Sequence, residues 1–275
     1  TSRHVSRPEE EILEEVRGLA ASGVKELLVI AQDLTYYGRD LYGEPRLPEL
    51  IEKICRVDGI EWVRLHYGYP AQFPMDLLRV MREQPKVCKY LDIALQHASD
   101  HMLRVMRRGV TRQETEELLR RMREEVPGIA IRTTLMVGHP KETDEDFEEL
   151  MDFVREQRFE RMGAFMYSHE EGTYDYRHYS DNVPQEVKEE RYDRLMTLQQ
   201  EIALETAESM VSKTLRVLVD REEEGHYIGR TEYDSPDVDP EVILTGEASV
   251  GEFCQVRITG TADYDLIGEV LSSES

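Results

Sequence analysis

The sequence alternates short apolar segments with helical amphipathic segments five times in succession, and this alternation constrains the fold more than any other feature. The first apolar segment, ELLVIAQ at 26–32, is typical of a parallel strand covered on both faces. Further strands are predicted at 61–67, 90–95, 129–136 and 162–167, each after a helix of ordinary length. The pattern predicts an α/β fold with a parallel sheet and right-handed crossovers. The periodicity leaves open whether the sheet closes into a barrel.

The pattern changes after Pro184. One long helix is predicted from there to about Lys213, and five short strands with turn residues between them follow at 214–219, 226–231, 241–244, 253–258 and 266–270. Short strands at this spacing predict a small closed β-barrel. The predicted organisation is therefore a βα domain at 1–182, a connecting helix at 183–212 and an all-β domain at 213–275.

Charge and cysteine content limit the classes of partner and compartment. The 275-residue chain has a net charge of −23, which disfavours nucleic acid and favours a basic protein as partner, although the charge can equally serve solubility. No segment has the length of apolar sequence that a membrane helix needs, and no secretory leader is recognisable. The three cysteines, Cys55, Cys88 and Cys254, have no disulfide or metal-ligand spacing, so we expect a reduced, cytoplasmic protein.

Polar side chains follow all five predicted strands of the βα domain. The carboxyl ends of parallel strands meet at one edge of the sheet, where polar ligands bind. The candidates at these strand ends are Gln32, Asp33, His66, Gln96, His97, Arg132, His139 and His169.

Several of these residues also have a structural interpretation. Asp33 could cap the next segment, and Gln96 with His97 could open the following helix. Arg132 could form a structural ion pair, while His139, next to Pro140, is interpreted as structural rather than catalytic. Hydrolase nucleophile motifs and phosphate-binding loops are lacking in the sequence. Chemistry without an evident nucleophile favours a cofactor enzyme.

Six strings in the chain resemble the methylthiotransferase branch of the radical-SAM enzymes. They are HVSRP (4–8), IAQDLTYYG (30–38), YLDIALQHAS (90–99), MRRG (106–109), VGHPKET (137–143) and YSHEEGT (167–173). The region after the long helix resembles the TRAM domain of the same branch. The strings at 32–38 and 167–173 are more similar to the type that modifies a ribosomal protein, the RimO type, than to the tRNA type.

This resemblance implies a fold, a reaction and two cofactors. The fold is a partial TIM-like βα barrel followed by a small all-β TRAM barrel. The cofactors are S-adenosylmethionine (SAM) and two [4Fe–4S] clusters, and the radical formed from SAM abstracts hydrogen from an unactivated carbon. In the RimO type that carbon is the β-carbon of an aspartate in small-subunit ribosomal protein twelve.

The resemblance also implies roles for individual residues. Gln32 and Asp33 match positions at the methionine moiety of SAM, and Gln96 and Arg132 match positions facing its carboxylate and ribose. Val137 and Gly138 match the segment that approaches the adenine. The family usually has Phe and Gly where this chain has His139 and Lys141.

The cluster-binding cysteines of the family are expected just upstream of 4–8, where this sequence begins. We therefore interpret the chain as a fragment without cluster ligands, inactive alone, rather than as a cluster-free relative. Residues 213–275 carry five basic and fifteen acidic residues, a net charge of −10. That charge favours a basic ribosomal protein over tRNA as substrate. The alternatives are a tRNA adenosine methylthiotransferase and a non-catalytic binding module on the same scaffold.

Overall fold

Five parallel strands lie side by side in chain order and form an open sheet. The computed structural model describes residues 7–30 and 46–274. Within that part of the chain, the strands of the sheet are β1 (Glu26–Ile30), β2 (Trp62–Tyr67), β3 (Val87–Ile93), β4 (Ala130–Val137) and β5 (Arg161–Met166). The sheet order β1-β2-β3-β4-β5 confirms the predicted parallel α/β arrangement.

Helices precede and follow these strands as the sequence predicts. In the described residues they are α1 (Glu9–Ala21), α2 (Leu47–Cys55), α3 (Asp76–Glu83), α4 (Asp100–Val105), α5 (Arg112–Glu125), α6 (Asp144–Gln157), α7 (Tyr174–His178) and α8 (Gln185–Ser209). Thr111 and Thr143 begin α5 and α6 with complete capping boxes, each paired with an acidic residue three positions later. One short helix, α7, is absent from the sequence prediction; it is capped by Thr173.

Several predicted element bounds differ from the structure. Three strands in the last part of the chain end at Glu223, Ala262 and Ser273, beyond the predicted 219, 258 and 270. Two further differences lie in the βα part and the long helix. Strand β3 begins at Val87, three residues earlier than predicted, because the apolar Val87 and Cys88 are both buried and extend the strand. The long helix α8 ends at Ser209 rather than near Lys213. The chain turns there through Ser212, whose φ is 79°, before the next strand begins.

The last part of the chain forms a closed five-stranded barrel, which we call the small barrel. Its strands are β6 (Thr214–Glu223), β7 (His226–Arg230), β8 (Val242–Thr245), β9 (Phe253–Ala262) and β10 (Asp265–Ser273). They close in the order β10-β8-β7-β6-β9, and the acidic run ending at Glu224 lies at the tip of the β6–β7 hairpin. This confirms the predicted all-β barrel.

The two faces of the open sheet have different neighbours. Side chains such as Leu65, Leu91 and Ile131 pack against the helices in the main hydrophobic core. On the other face, Trp62 and Tyr90 pack against Phe253 of the small barrel. The small barrel therefore covers the lower part of this second face, which we call the inner face.

Candidate functional site

A row of polar residues crosses the inner face. His66, Asp92, Arg132 and Arg161 are paired in register on β2, β3, β4 and β5, so their side chains point to the same side of the sheet. The loop 231–240 of the small barrel meets this row. Arg132 Nη1 lies 2.7 Å from Asp239 Oδ1 and Arg161 Nε lies 2.8 Å from Asp234 Oδ1. Asp239 therefore compensates the charge that Arg132 carries in a buried strand.

Asp92 is the carboxylate of this row, and its negative charge is poorly compensated. Its Oδ2 lies 3.5 Å from His66 Nδ1 and 3.7 Å from Arg132 Nε, both longer than a good hydrogen bond. Burial raises the pKa of Asp92 to about 6, opposed by Arg132 and reinforced by Asp239. Burial also lowers the pKa of His66, and the positive charge of Arg64 adds to that effect. Both groups therefore favour their neutral forms.

This environment predicts a pH-dependent effect of replacing Asp92 with Asn. The pKa of Asp92 rises from an ordinary 3.8 to about 6 on folding, so the stability it contributes is present below pH 3.8 and is lost as the pH rises through 6. We expect Asp92→Asn to raise the free energy of unfolding by about 1–3 kcal/mol at pH 8 and by much less at pH 4. Urea denaturation at both pH values measures this. The exposed Asp193→Asn is the control, and an equal effect of Asp92→Asn at both pH values would contradict the assignment.

Gln96 and Gly138 come together at the carboxyl end of the sheet, which we call the rim. Gln96 forms an isolated parallel β-bridge with Leu135 of β4, and the φ of Gln96 is positive, at 71°. The Oε1 atom of Gln96 is buried and has no hydrogen-bond partner in the described residues. Gly138 has a φ of 77°, and a Cβ added there would lie 2.3 Å from Lys188 Cγ of α8. Only glycine fits this position, for both reasons.

One carboxylate connects Gly138 with His97, the residue that follows Gln96. Glu142 is fully buried, and its Oε1 accepts from the Gly138 N–H at 3.0 Å and from Arg191 Nη1 at 2.8 Å. Its Oε2 lies 2.7 Å from His97 Nε2. Because His97 Nδ1 accepts the backbone N–H of Ala98 at 2.9 Å, the imidazole proton is on Nε2 and is donated to Glu142. The carboxylate thus holds the two rim loops in a fixed relation, and Arg191 of α8 balances its charge.

The other residues predicted from the sequence lie in different surroundings. The Val137 side chain is fully buried in the main core. At the rim, Val137 can therefore contact a ligand only through its main chain. Arg132 lies three residues before Leu135 on β4, roughly 10 Å below the rim. Gln32 and Asp33 lie outside the described residues. His139 is 1% exposed and packs against Tyr167, in agreement with its structural interpretation.

Glu142, Arg191 and Asp239 were not predicted as site residues from the sequence. Glu142 stands inside the VGHPKET string, four residues after Gly138, so the string itself contained a signal. Arg191 is one of several charged residues on a long helix, and Asp239 is one of many acids in the small barrel. Only the tertiary contacts distinguish these last two.

The described residues fit a polar cofactor such as SAM at the rim, because Gln96 offers a buried acceptor without a donor there. The missing Cβ of Gly138 makes room for the Lys188 side chain. The described residues do not fit an iron–sulfur cluster. Cys55, Cys88 and Cys254 are buried and lie apart on α2, β3 and β9; burial raises the pKa of their thiols to about 11, 12 and 11. In the described ranges, three or more His, Cys, Asp or Glu side chains nowhere converge on a point where a metal ion could bind.

Comparison with known proteins identifies the family. Residues 1–154 match the radical SAM superfamily and residues 211–271 match the TRAM domain. The chain belongs to the radical SAM superfamily. The predicted partial barrel with a C-terminal TRAM barrel is thereby confirmed. Two solved structures have a similar fold. Coproporphyrinogen III oxidase (HemN) from Escherichia coli, a radical SAM enzyme, has 15% identity and a TM-score of 0.51 over 72% of this chain and 46% of its own. Methylornithine synthase (PylB) has 17% identity and a TM-score of 0.50 over 72% and 56%.

Relatives of this radical SAM chain carry the name of the predicted RimO type. A ribosomal protein uS12 methylthiotransferase RimO from Parabacteroides distasonis is 60% identical over 99% of the chain, and the one from Bacteroides thetaiotaomicron is 58% identical over 99%. The chain spans 63% of the length of both relatives. In the part that the structure describes, no helix has both the length and the apolar character needed to cross a membrane.

Proposed function

We propose that the protein carrying this chain methylthiolates the β-carbon of an aspartate in ribosomal protein uS12 by radical SAM chemistry. The observation that carries the proposal is the identity of 55–60% to proteins named RimO, along 98–99% of the chain. Residues at the rim and residues of the small barrel are included in that similarity. The chain alone lacks an iron–sulfur ligand set in its described residues, so we propose that it is one part of the active enzyme.

The rim is the proposed SAM-facing surface. Bound SAM would supply the radical that removes hydrogen from the substrate carbon, and the two [4Fe–4S] clusters would be held elsewhere in the whole enzyme. The proposed contacts of this chain with SAM are Gln32, Asp33, Gln96, Arg132, Val137 and Gly138. Gln96 Oε1 would accept a hydrogen bond from an amino or hydroxyl group, and the main chain at 137–138 would offer its polar groups. Glu142, held by His97 and Arg191, would keep that main chain in place.

The acidic small barrel supports a basic protein as substrate. Its net charge of −10 over 213–275 would attract a ribosomal protein and repel the phosphates of tRNA. We also propose a cytoplasmic location, where such a substrate is made, and the division into 1–182, 183–212 and 213–275. The position of α8 between the open sheet and the small barrel supports this division.

The proposal predicts which macromolecule carries the modification. In cells in which the gene for this protein is disrupted, we expect uS12 to carry hydrogen where uS12 from intact cells carries one methylthio group, and so to have a lower mass. Returning the intact gene should restore the higher mass. Mass spectrometry of ribosomal proteins and of digested tRNA from the same cells measures both candidates. A loss of methylthio groups from tRNA adenosine, with uS12 unchanged, would favour the tRNA enzyme. No loss from either would favour a non-catalytic module.

A further inference from the structure

Arg108 is a half-buried arginine whose charge has no acidic partner among the described residues. Its Nη2 donates to the main-chain oxygen of Ala94 at 2.5 Å, and its Cζ lies 4.9 Å from the centre of the Tyr69 ring. Its Nε is buried and has no hydrogen-bond acceptor within residues 7–30 and 46–274. Neutral groups therefore hold the guanidinium in place, and its positive charge stays uncompensated in this part of the chain.

The surroundings of Arg108 differ from those of the buried arginines. Each buried arginine in the described ranges has a carboxylate oxygen at 2.6–2.8 Å; these are Arg64, Arg161, Arg191 and Arg230. Burial lowers the pKa of Arg108, and the effect is opposed by Tyr69 rather than by a carboxylate. A chain with 57 acidic residues has carboxylates in excess. An uncompensated guanidinium in such a chain points to an anion that comes from a ligand.

Arg108 lies at the same edge of the sheet as Gln96. Ala94 is the first residue after β3, and Tyr69 is the second residue after β2. Gln96 follows Ala94 by two residues, so their Cα atoms are at most about 7 Å apart. The Arg108 guanidinium is therefore at the carboxyl ends of β2 and β3, close to the proposed SAM-facing residues of the rim.

We propose that Arg108 binds the side-chain carboxylate of the aspartate that is modified. A guanidinium is planar and always charged, and its N–H donors form a fork that matches the two oxygens of a carboxylate. That carboxylate is bonded directly to the β-carbon that loses hydrogen, so holding it fixes the position of the reacting carbon. Ala94 and Tyr69 orient the guanidinium before the substrate arrives. This inference rests on the proposed function, because it presumes an aspartate of uS12 as the substrate.

A double-mutant cycle tests the inference in the whole protein that carries this chain. Binding of fluorescently labelled uS12 is measured by anisotropy, with uS12 as it is and with its target aspartate replaced by asparagine. We expect the unsubstituted protein to bind the asparagine form about tenfold more weakly, and Arg108→Gln to bind both forms equally. Arg104→Gln removes an exposed arginine of α4 and should keep the tenfold difference.

A conservative variant and a fold check complete the experiment. Arg108→Lys keeps the charge without the planar fork, and we expect the difference between the two uS12 forms to fall to about threefold. Circular dichroism checks that each variant is folded, and Arg108→Lys decides if Arg108→Gln is not. Calorimetry of SAM binding to the same proteins tests the other carboxylate that could reach the rim.

Three results would overturn the inference and are distinguishable. If the unsubstituted protein binds uS12 but does not distinguish its two forms, or if Arg108→Gln keeps the tenfold difference, the inference is wrong and the proposed function stands. If the unsubstituted protein does not bind uS12, the proposed substrate and the inference both fall. If Arg108→Gln weakens SAM binding about tenfold and still distinguishes the two uS12 forms, Arg108 holds the carboxylate of SAM instead.

Discussion

Replacing Asp239 with alanine is expected to lower the free energy of unfolding by about 3–5 kcal/mol. The Asp239 carboxylate is fully buried; it accepts from Arg132 Nη1, Tyr90 Oη and Ser235 N, each at 2.7 Å. Its loss leaves the Arg132 guanidinium with Asp92 at 3.7 Å and a buried tyrosine hydroxyl without its acceptor. Urea denaturation followed by circular dichroism measures the change.

A matched control and a second substitution separate this ion pair from general effects. Asp193→Ala removes an exposed aspartate of α8, and its effect should stay within about 0.5 kcal/mol. In an Arg132→Met background, Asp239→Ala should cost much less, because the uncompensated guanidinium is then absent. If Asp239→Ala lowers the free energy of unfolding by less than about 1 kcal/mol in the unsubstituted background, the buried ion pair between Arg132 of the sheet and Asp239 of the small barrel does not contribute as we expect.

Replacing Gly138 with alanine is expected to cost about 2–4 kcal/mol of stability and to disturb the rim. Two separate terms contribute. The φ of 77° is costly for alanine, and the new Cβ would lie 2.3 Å from Lys188 Cγ and 3.1 Å from Lys188 Cβ. Relief of this clash requires the Lys188 side chain to leave its hydrogen bonds with Tyr167 and Asp181, or the Gly138 main chain or α8 to shift. A shift of the main chain would also strain the hydrogen bond from Gly138 N to Glu142.

Gly172 provides the control for the first of these terms. Its φ is 85° and nothing lies within 4 Å of an added Cβ, so Gly172→Ala should cost only about 1 kcal/mol. In a Lys188→Ala background, the cost of Gly138→Ala should fall towards the same value, because the clash is removed. Equal costs for the two glycine substitutions in the unsubstituted chain would show that contact with Lys188 is unimportant.

The sheet and the small barrel could be predicted from the sequence because their signals are local. Apolar runs such as that before Gln32, and helix caps such as Thr111 and Thr143, depend on neighbouring residues only. The missed helix α7 is a single turn with no apolar stripe, so periodicity has little to detect. The openness of the sheet depends on which strands pair at its edges, and that information is not local.

The candidate site was predictable only in part, for the same reason. Gln96 was selected because it follows a strand directly, and Gly138 because the VGHPKET string resembles the family. Asp239, in contrast, acts on Arg132 across 107 residues of sequence, and its acidic neighbours in the chain give no indication of which carboxylate is buried. Glu142 likewise needs the contact with Arg191, which is 49 residues away, before its role at the rim becomes visible.

The mass of uS12 tests the central claim most directly. Ribosomes from cells that carry the intact gene, and from cells in which it is disrupted, should contain uS12 species that differ by one methylthio group on a single aspartate. Tandem mass spectrometry then places the group on the β-carbon. An identical uS12 mass in the two strains, in cells where the protein is produced, would contradict the account.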